Sequence, residues 1–462
     1  MKRKRRARRA GNPVGYAKRL EKAGHDKGRL GEAELESPPH EIKEKAQRLA
    51  RLLRDASIVV VHTGAGLSTA AGIPDFRGER GVWTLEEQGH PLPDYERCWD
   101  NAMPTLAHMA LTELVNRGLV HSIISQNVDG LHLRSGIPRD RLCELHGNLF
   151  MEMCSGCKRE FNRTADVGGV GFQPTGRRCP ACGEALVDVL LDWEDELRDY
   201  EKAVDLSERC GQPGGLALCL GTSLQISPSK DLPAQAETMA IVNLQKTAKD
   251  RRSAVVIRAK IDTVMFHVMK CLGIPIPVYR RVENMVVSHT RTLLSGGRCR
   301  WTLVVGDTAD GARCGYVESM GVCFPGNSFS EARVTRSPFR LTRLTRYPPG
   351  RSTETLVGAS SQTVVAAATV PVVFYFTFVA APGRASPPPK HVEYEMDLSQ
   401  SEGARTVSVF LGEVKHAQDA DAGIGAGIGA GGGSVAKRAS NVGGVAGAKC
   451  SSFLENSTAA AL

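Results

Sequence analysis

Ile58-Val59-Val60-Val61-His62-Thr63-Gly64-Ala65-Gly66-Leu67-Ser68, followed by Gly72-Ile73-Pro74-Asp75-Phe76-Arg77-Gly78, is the stretch on which the reading of this chain turns. The β-branched run Ile58 to Val61 is short, apolar and bounded by glycine, which predicts a fully buried strand. A strand that ends in Gly-x-Gly and opens a helix brings backbone N–H groups and the helix dipole to one point, a place for a pyrophosphate. The next glycine is Gly72, off the usual third-glycine spacing, so a plain tight turn stays open as the competing reading. Asp75 and Arg77 flank an aromatic residue in the loop that follows, placed to close over a nucleotide.

Around this stretch, helical and strand patterns alternate. Ile42, Ala46, Leu49 and Leu53 share one helical face behind Pro38 and Pro39. Residues 104–117 and 262–272 read as helices, and 120–125, 216–220, 240–244 and 255–259 as strands. Apolar strands alternating with helices predict a parallel sheet covered on both faces. Residues 151–190 interrupt this order. Beyond Tyr279, runs at 301–305, 339–342, 372–376 and 392–396 between Gly and Pro turns predict a separate β-sandwich over about 290–412. The longest apolar run, Thr363 to Ala381, contains Pro371 and is rich in Val, Phe and Thr; it reads as two buried strands, not a membrane helix. Residues 413–462 form a Gly/Ala/Ser tail with Gly-Ile-Gly-Ala repeats and read as disordered.

The chain has 462 residues, 42% apolar and 24% charged, enough for two or three folded units and a sizeable core. The net charge of +9 sits in one place: residues 1–30 carry 12 Lys and Arg against 2 Asp and Glu. Residues 1–36 therefore read as a basic disordered arm. Its cluster Lys2-Arg3-Lys4-Arg5-Arg6 with Arg8 and Arg9 suits a nuclear import signal or a phosphate-backbone contact, against the plainer reading of a solvated tail. No aromatics interleave with it, which argues against base reading. Met1 leads into charges without an apolar run, so no signal peptide is expected.

Thirteen scattered cysteines do not form a secreted disulfide framework. Cys154-x-x-Cys157 and Cys179-x-x-Cys182, 21 residues apart, present four thiolates at the spacing of a structural zinc site. A redox dithiol is the alternative; the pairing of the motifs favours metal. Cys98, Cys143, Cys210, Cys219 and Cys271 read as buried apolar residues.

The extended stretch Gly64-Ala65-Gly66-x-Ser68 through Gly72-Ile73-Pro74-Asp75-Phe76-Arg77 resembles the sirtuin signature. Ser125-Gln126-Asn127-Val128-Asp129-Gly130-Leu131-His132, Glu144-Leu145-His146-Gly147-Asn148, Gly221-Thr222-Ser223-Leu224 and Val242-Asn243-Leu244-Gln245 resemble further blocks of that family, in the family's order, over about residues 40–280. Gly81-Val82-Trp83-Thr84, Leu191-Asp192-Trp193-Glu194-Asp195 and Val242-Asn243-Leu244-Gln245 are similar to its nuclear, class IV branch. Trp193-Glu194-Asp195 stands where many sirtuins have Phe-Gly-Glu, and residues 301–376 resemble the β-rich extension of plant-type members.

The resemblance implies an α/β fold: a Rossmann-like parallel sheet with a small zinc-binding module over about 151–190, within a catalytic domain spanning 37–280. It implies NAD as co-substrate and one structural zinc on Cys154, Cys157, Cys179 and Cys182. Gly64, Ala65, Gly66, Thr69, Asp75, Phe76, Arg77, Trp83, Gln126, Gly221, Ser223, Asn243, Gln245 and Ile261 are implied to hold NAD, with small residues at 65 and 221 admitting the cofactor. His146 is implied as general base, since an imidazole accepts a proton near neutrality, with Asn127 and Asp129 ordering the nicotinamide and its ribose. His62 and His132 read instead as packing or hydrogen-bonding residues. The expected activity is NAD-dependent removal of acyl groups from lysine, with transfer to ADP-ribose and release of nicotinamide. The expected partners are acylated lysines in histone tails or nuclear proteins and, through the basic N-terminal arm, the nucleosome or DNA backbone, with nuclear localisation and no membrane. A mono-ADP-ribosyltransferase and a chromatin-binding scaffold are the alternatives.

Overall fold

Strand β1 (Ile58–Thr63) is buried at every position, as its β-branched run predicts. Removing Val59, Val60 and Val61 from water contributes on the order of 2 kcal/mol per side chain. The computed structural model describes residues 27–91, 96–295, 298–307, 316–323, 332–334, 339–346, 369–378, 390–397 and 402–414. The basic cluster at residues 2–9 and the tail beyond 414 lie outside the described residues.

β1 is central in a six-stranded sheet completed by β2 (Ser122–Ser125), β3 (Leu142–Glu144), β8 (Gly215–Leu220), β9 (Thr238–Val242) and β10 (Val255–Ile257), in the order β10-β9-β8-β1-β2-β3. Every neighbouring pair is parallel. Between β1 and β8 the strand order reverses direction, the switch point at which doubly wound sheets open a crevice beyond the strands' carboxyl ends.

Helices cover both faces. Helix Pro39–Asp55 starts with proline in its first turn and buries Ile42, Ala46, Leu49, Ala50 and Leu53. It packs on helix Ile261–Leu272, which Gly273 terminates in the left-handed conformation. Helix Leu106–Asn116 is opened by a Thr105/His108 capping box and is buried on nearly all sides. Among the described residues no helix is long and apolar enough to cross a membrane.

Between β3 and β8 a small antiparallel sheet interrupts the order, as expected. It consists of β4 (Met151–Cys154), β5 (Glu160–Asn162), β6 (Pro174–Arg178) and β7 (Ala185–Asp188), arranged β5-β4-β7-β6. Buried Glu152 is held there by Arg163 at 2.6 Å and Arg177 at 2.7 Å.

The C-terminal unit is a pair of four-stranded antiparallel sheets. One orders β15 (Phe339–Arg346), β12 (Arg298–Gly306), β11 (Tyr279–Leu294) and β18 (Glu402–Val414); the other orders β14 (Ala332–Val334), β13 (Val317–Cys323), β16 (Thr369–Phe378) and β17 (Lys390–Asp397). Trp301, Phe339, Phe374 and Phe376 fill the space between them.

Three expectations change. The sandwich starts at Tyr279, not near 290, because β11 runs for 16 residues with buried Arg281 interrupting its apolar alternation. Of the Thr363 to Ala381 run only 369–378 is described, as strand β16; the rest of that two-strand reading lies outside the described residues. Pro371 pairs with Glu395 of β17 and lies two residues before Val373, the last described partner of β13. Residues 27–36, read as part of a disordered arm, are tied down by their backbone: Gly31 N–H donates to Arg77 O (3.0 Å) and Leu35 N–H to Leu244 O (3.0 Å). Cys271, read as buried, is exposed, whereas Cys143, Cys210 and Cys219 are buried; the side chain of Cys98 is outside the described ones.

Candidate active site

At the switch point the loops after β1 and β8 touch backbone to backbone. Gly64 N–H donates to Leu220 O at 3.1 Å and Gly66 N–H to Gly221 O at 3.0 Å. Gly221 has φ +61°, and a Cβ there would lie 2.5 Å from Leu67 N. The smallness at 221, read from sequence as room for a cofactor, is thus needed first for the approach of the Gly66 backbone.

Beside these loops opens a cavity of about 700 Å³. It is lined by every residue that the sequence reading nominated for cofactor or catalysis, from Gly64, Ala65, Gly66 and Thr69 to Ile261. One wall is aromatic: Phe76 and Trp83 ring centroids are 4.8 Å apart, and Trp193 lies 5.7 Å from Trp83. The Arg77 guanidinium sits 4.6 Å over Trp83, while its Nε donates to Lys27 O at 2.9 Å. Asp75 accepts from Gly78 N–H at 2.8 Å, and burial pushes its carboxyl up. At the far end, Asn243 Nδ2 donates to Gln245 O (2.9 Å) and Gln245 Nε2 to Glu32 O (2.6 Å). Ser223 and Gln126 complete the lining, with Gln126 Nε2 3.4 Å from Thr222 Oγ1.

His146 follows β3. Its Nδ1 lies 3.0 Å from the carbonyl oxygen of Gln126. A carbonyl only accepts, so Nδ1 carries the proton and Nε2 is the basic nitrogen. Burial lowers this imidazole below its ordinary value; the Gln126 carbonyl opposes the shift and Arg77 adds to it. Gly147 has φ +83°, and any Cβ would overlap Val189 O, so the turn after the histidine is pressed against the chain leaving the small sheet.

Asn127 and Asp129 are joined through a residue the sequence reading left out of the site. Ser68 Oγ donates to Asp129 Oδ2 at 2.6 Å and accepts from Asn127 Nδ2 at 3.2 Å. Asp129 also accepts from Leu131 N–H at 2.9 Å, and burial raises its carboxyl. Ser68 stands inside the quoted motif, which was the available signal. Glu34, Trp99 and Lys260 also line the cavity and were missed, because they come from separate parts of the chain and carry no local pattern. His62 and His132 are buried, and His132 Nε2 pairs with Thr63 Oγ1 at 3.0 Å.

Cys154, Cys157, Cys179 and Cys182 converge in the small sheet, their sulfurs all within 4.8 Å of one another. Cys154 Sγ lies 3.3 Å from Cys182 Sγ, and Cys157 Sγ 3.7 Å from Cys179 Sγ. Tetrahedral Zn–S bonds of about 2.3 Å place sulfurs about 3.8 Å apart, so this donor set fits zinc. Four protein ligands fill such a site, which makes it structural.

The chain is similar to known proteins. A family model described as the Sir2 family matches residues 93–228. Over 341 residues the chain is 42% identical to the NAD-dependent protein deacetylase SRT1 of Arabidopsis thaliana, with 72% of each chain covered. It is 42% identical over 272 residues to the NAD-dependent protein deacetylase Sirt6 of Drosophila melanogaster, covering 56% of this chain and 85% of that one. Among solved structures it is similar to a Sir2–p53 peptide–NAD+ complex, at 26% identity and a TM-score of 0.37, over 49% of this chain and 98% of the other.

Proposed function

The chain belongs to the Sir2 family, and from that premise we infer that it is an NAD-dependent protein-lysine deacetylase that works on histone tails in the nucleus. The observation that carries the catalytic reading is the pairing of His146 with the Gln126 carbonyl in the wall of the cavity. It orients the ring and leaves Nε2 as a base for a ribose hydroxyl.

NAD, the co-substrate, supplies the ADP-ribose that takes the acyl group, with nicotinamide as leaving group. The chain's own residues do the rest. Ala65, Thr69, Phe76, Arg77, Trp83, Gln126, Ser223, Asn243, Gln245 and Ile261 would bind the dinucleotide, with the backbone of Gly64, Gly66 and Gly221 shaping the floor and Asp75 bracing the loop. Arg77 supplies positive charge toward phosphate. Phe76 and Trp83 keep water from the reacting face. Asn127 and Asp129, tied through Ser68, would order the nicotinamide ribose. Zinc on the four cysteines would hold the small sheet as the second wall of the cleft.

Chromatin enters this reading through composition. The arm at residues 2–9 pairs nuclear import with attraction to DNA phosphates. Incubating the protein with NAD and acetylated nucleosomes tests the whole reading. Deacetylated histone, free nicotinamide and O-acetyl-ADP-ribose in equal amounts are expected. ADP-ribosylated protein instead would make it a transferase, and tight binding without turnover a scaffold.

A further inference from the structure

Arg281, the third residue of β11, is a charged side chain with only 2% of its surface exposed. Its guanidinium reaches out of the C-terminal sandwich into the catalytic domain. Nη2 donates to Asp100 O at 3.2 Å and Nη1 to Asn101 Oδ1 at 3.5 Å, while Glu283 takes Nε at 2.7 Å. Asp100 and Asn101 are the last residues of the short helix Glu96–Asn101. Beside them Arg134 donates to Ala102 O at 2.6 Å. The last carbonyls of a helix have no partner within it, and cations there are favourable. Two arginines, one from each unit, thus cap one helix end.

That helix carries Trp99, which lines the cavity. Trp99 packs against two apolar clusters, one of Val128, Leu149, Phe150 and Leu190 and one of Ile73, Ala102 and Leu131. Val128 lies between Asn127 and Asp129, and Leu190 belongs to the chain leaving the zinc-site sheet. Trp99 therefore adjoins both the segment of Asn127 and Asp129 and the chain that leaves that sheet. A second tie runs the same way: Asp307, just after β12, accepts from Thr164 N–H at 3.5 Å, and Asp100 Oδ1 accepts from Asp166 N–H at 3.1 Å. Sandwich, short helix and zinc-site sheet meet at this point.

We propose that Arg281 is a positioning residue of the active site: through it the C-terminal sandwich caps helix Glu96–Asn101 and holds Trp99 in the wall at the acyl-lysine end of the cavity. The claim rests on the deacetylase reading for what occupies that end. It gives the sandwich a role that Trp301, Phe374 and its other core residues do not explain.

The test uses the full chain with Arg281→Met, which keeps the aliphatic stem, Arg281→Lys, which keeps one cation, and Arg300→Met on the exposed face of β12 as control. Hydrogen exchange should accelerate about tenfold or more at residues 97–102 in Arg281→Met, with amides of β1 and β8 unchanged. The KM for an acetyl-lysine peptide should rise about fivefold or more while that for NAD moves less than about twofold. Arg281→Lys should recover part of both, and Arg300→Met should change neither. Unaltered exchange at 97–102 overturns the proposal. So does a uniform loss of protection that includes β1 and β8, or faster local exchange with an unmoved peptide KM. A wild-type chain that turns over no acyl-peptide would sink the deacetylase reading separately. The exchange pattern, with the peptide's dissociation constant in place of KM, would then still decide the brace.

Discussion

His146 and Gln126 are joined by a 3.0 Å hydrogen bond from the imidazole Nδ1–H to the main-chain carbonyl. The contact fixes the tautomer, so Nε2 can accept a proton only when the ring is neutral. Burial holds its pKa below the ordinary 6.5. As pH rises the imidazole loses its proton and becomes a base, so kcat/KM should climb with pH on a limb centred below 6.5 and be flat above it. His146→Tyr should lower kcat by about 10²–10⁴-fold with NAD still bound. A pH–rate limb centred above 7, or an active tyrosine variant, would contradict the assignment.

Ser68→Ala removes the hydroxyl between Asp129 and Asn127. Two buried groups then lose a partner, which costs about 1–3 kcal/mol. Urea unfolding should show that loss. Steady-state kinetics should show kcat/KM falling about tenfold or more, because both residues face the cavity. Wild-type stability and rate together would mean that the link orders nothing.

Glu144 gives a pH dependence of opposite sign. Burial pushes its carboxyl up to about 7, opposed by the charge of Arg198. A carboxyl raised in the fold stabilises fully below its unfolded value, near 4.5, and loses that contribution as pH rises through 7. Glu144→Gln should therefore gain on the wild type between pH 5 and 8, by on the order of 3 kcal/mol. His62, lowered to about 3 by burial, and His132, lowered to about 4, act the other way: their stability is present above pH 6.5 and lost as pH falls below it. Thermal melts across pH 4–8 on the Gln variant and its parent isolate the carboxyl, since the histidines are common to both.

Gly221→Ala should abolish NAD retention and lower Tm. Its φ of +61° is unfavourable for alanine, and its Cβ would meet Leu67 N at 2.5 Å. Gly118 separates the two causes: its φ is +73°, but nothing lies within 4 Å. Gly118→Ala should cost about 1 kcal/mol and leave NAD affinity unchanged. Equal behaviour of the two variants in calorimetry and NAD titration would rule out the loop-to-loop packing as the cause.

These contrasts mark what was legible in the sequence. The β1 run and the paired Cys-x-x-Cys spacing could be read because each is a local pattern with a physical reason, whereas the cavity residues from Gly64 to Ile261 came with the resemblance to the sirtuin family. Ser68 could be read as part of a motif but not as a link, since its partners lie 59 and 61 positions away. Trp99 and Glu34 join the cavity only through tertiary packing. Cys271 shows the opposite failure: it lies in an amphipathic helix, and residue type alone does not say which face it occupies. The ordering of residues 27–36 rests on backbone hydrogen bonds, which composition does not register. Arg281 hid the start of β11 because a buried charge reads as exposed unless its partners are known.

Metal removal tests the other wall of the cleft. One zinc per chain is expected by atomic absorption, lost in Cys179→Ser or after chelation. The consequence should reach His146, because the chain leaving β7 is bound to the turn that carries it: Leu191 N–H donates to His146 O at 3.2 Å and Arg198 N–H to Leu145 O at 3.1 Å. Zinc-bound thiolates stabilise small modules strongly, since the unfolded chain has no preformed site. The apolar cluster around the four sulfurs is small: Leu186, the buried Cys154 and Cys179, and partly buried Phe161. Loss of zinc should therefore lower Tm and kcat/KM together, while the six-stranded sheet keeps its far-ultraviolet dichroism. A chelated, zinc-free protein with undiminished turnover would show that the four sulfurs do not hold up this wall.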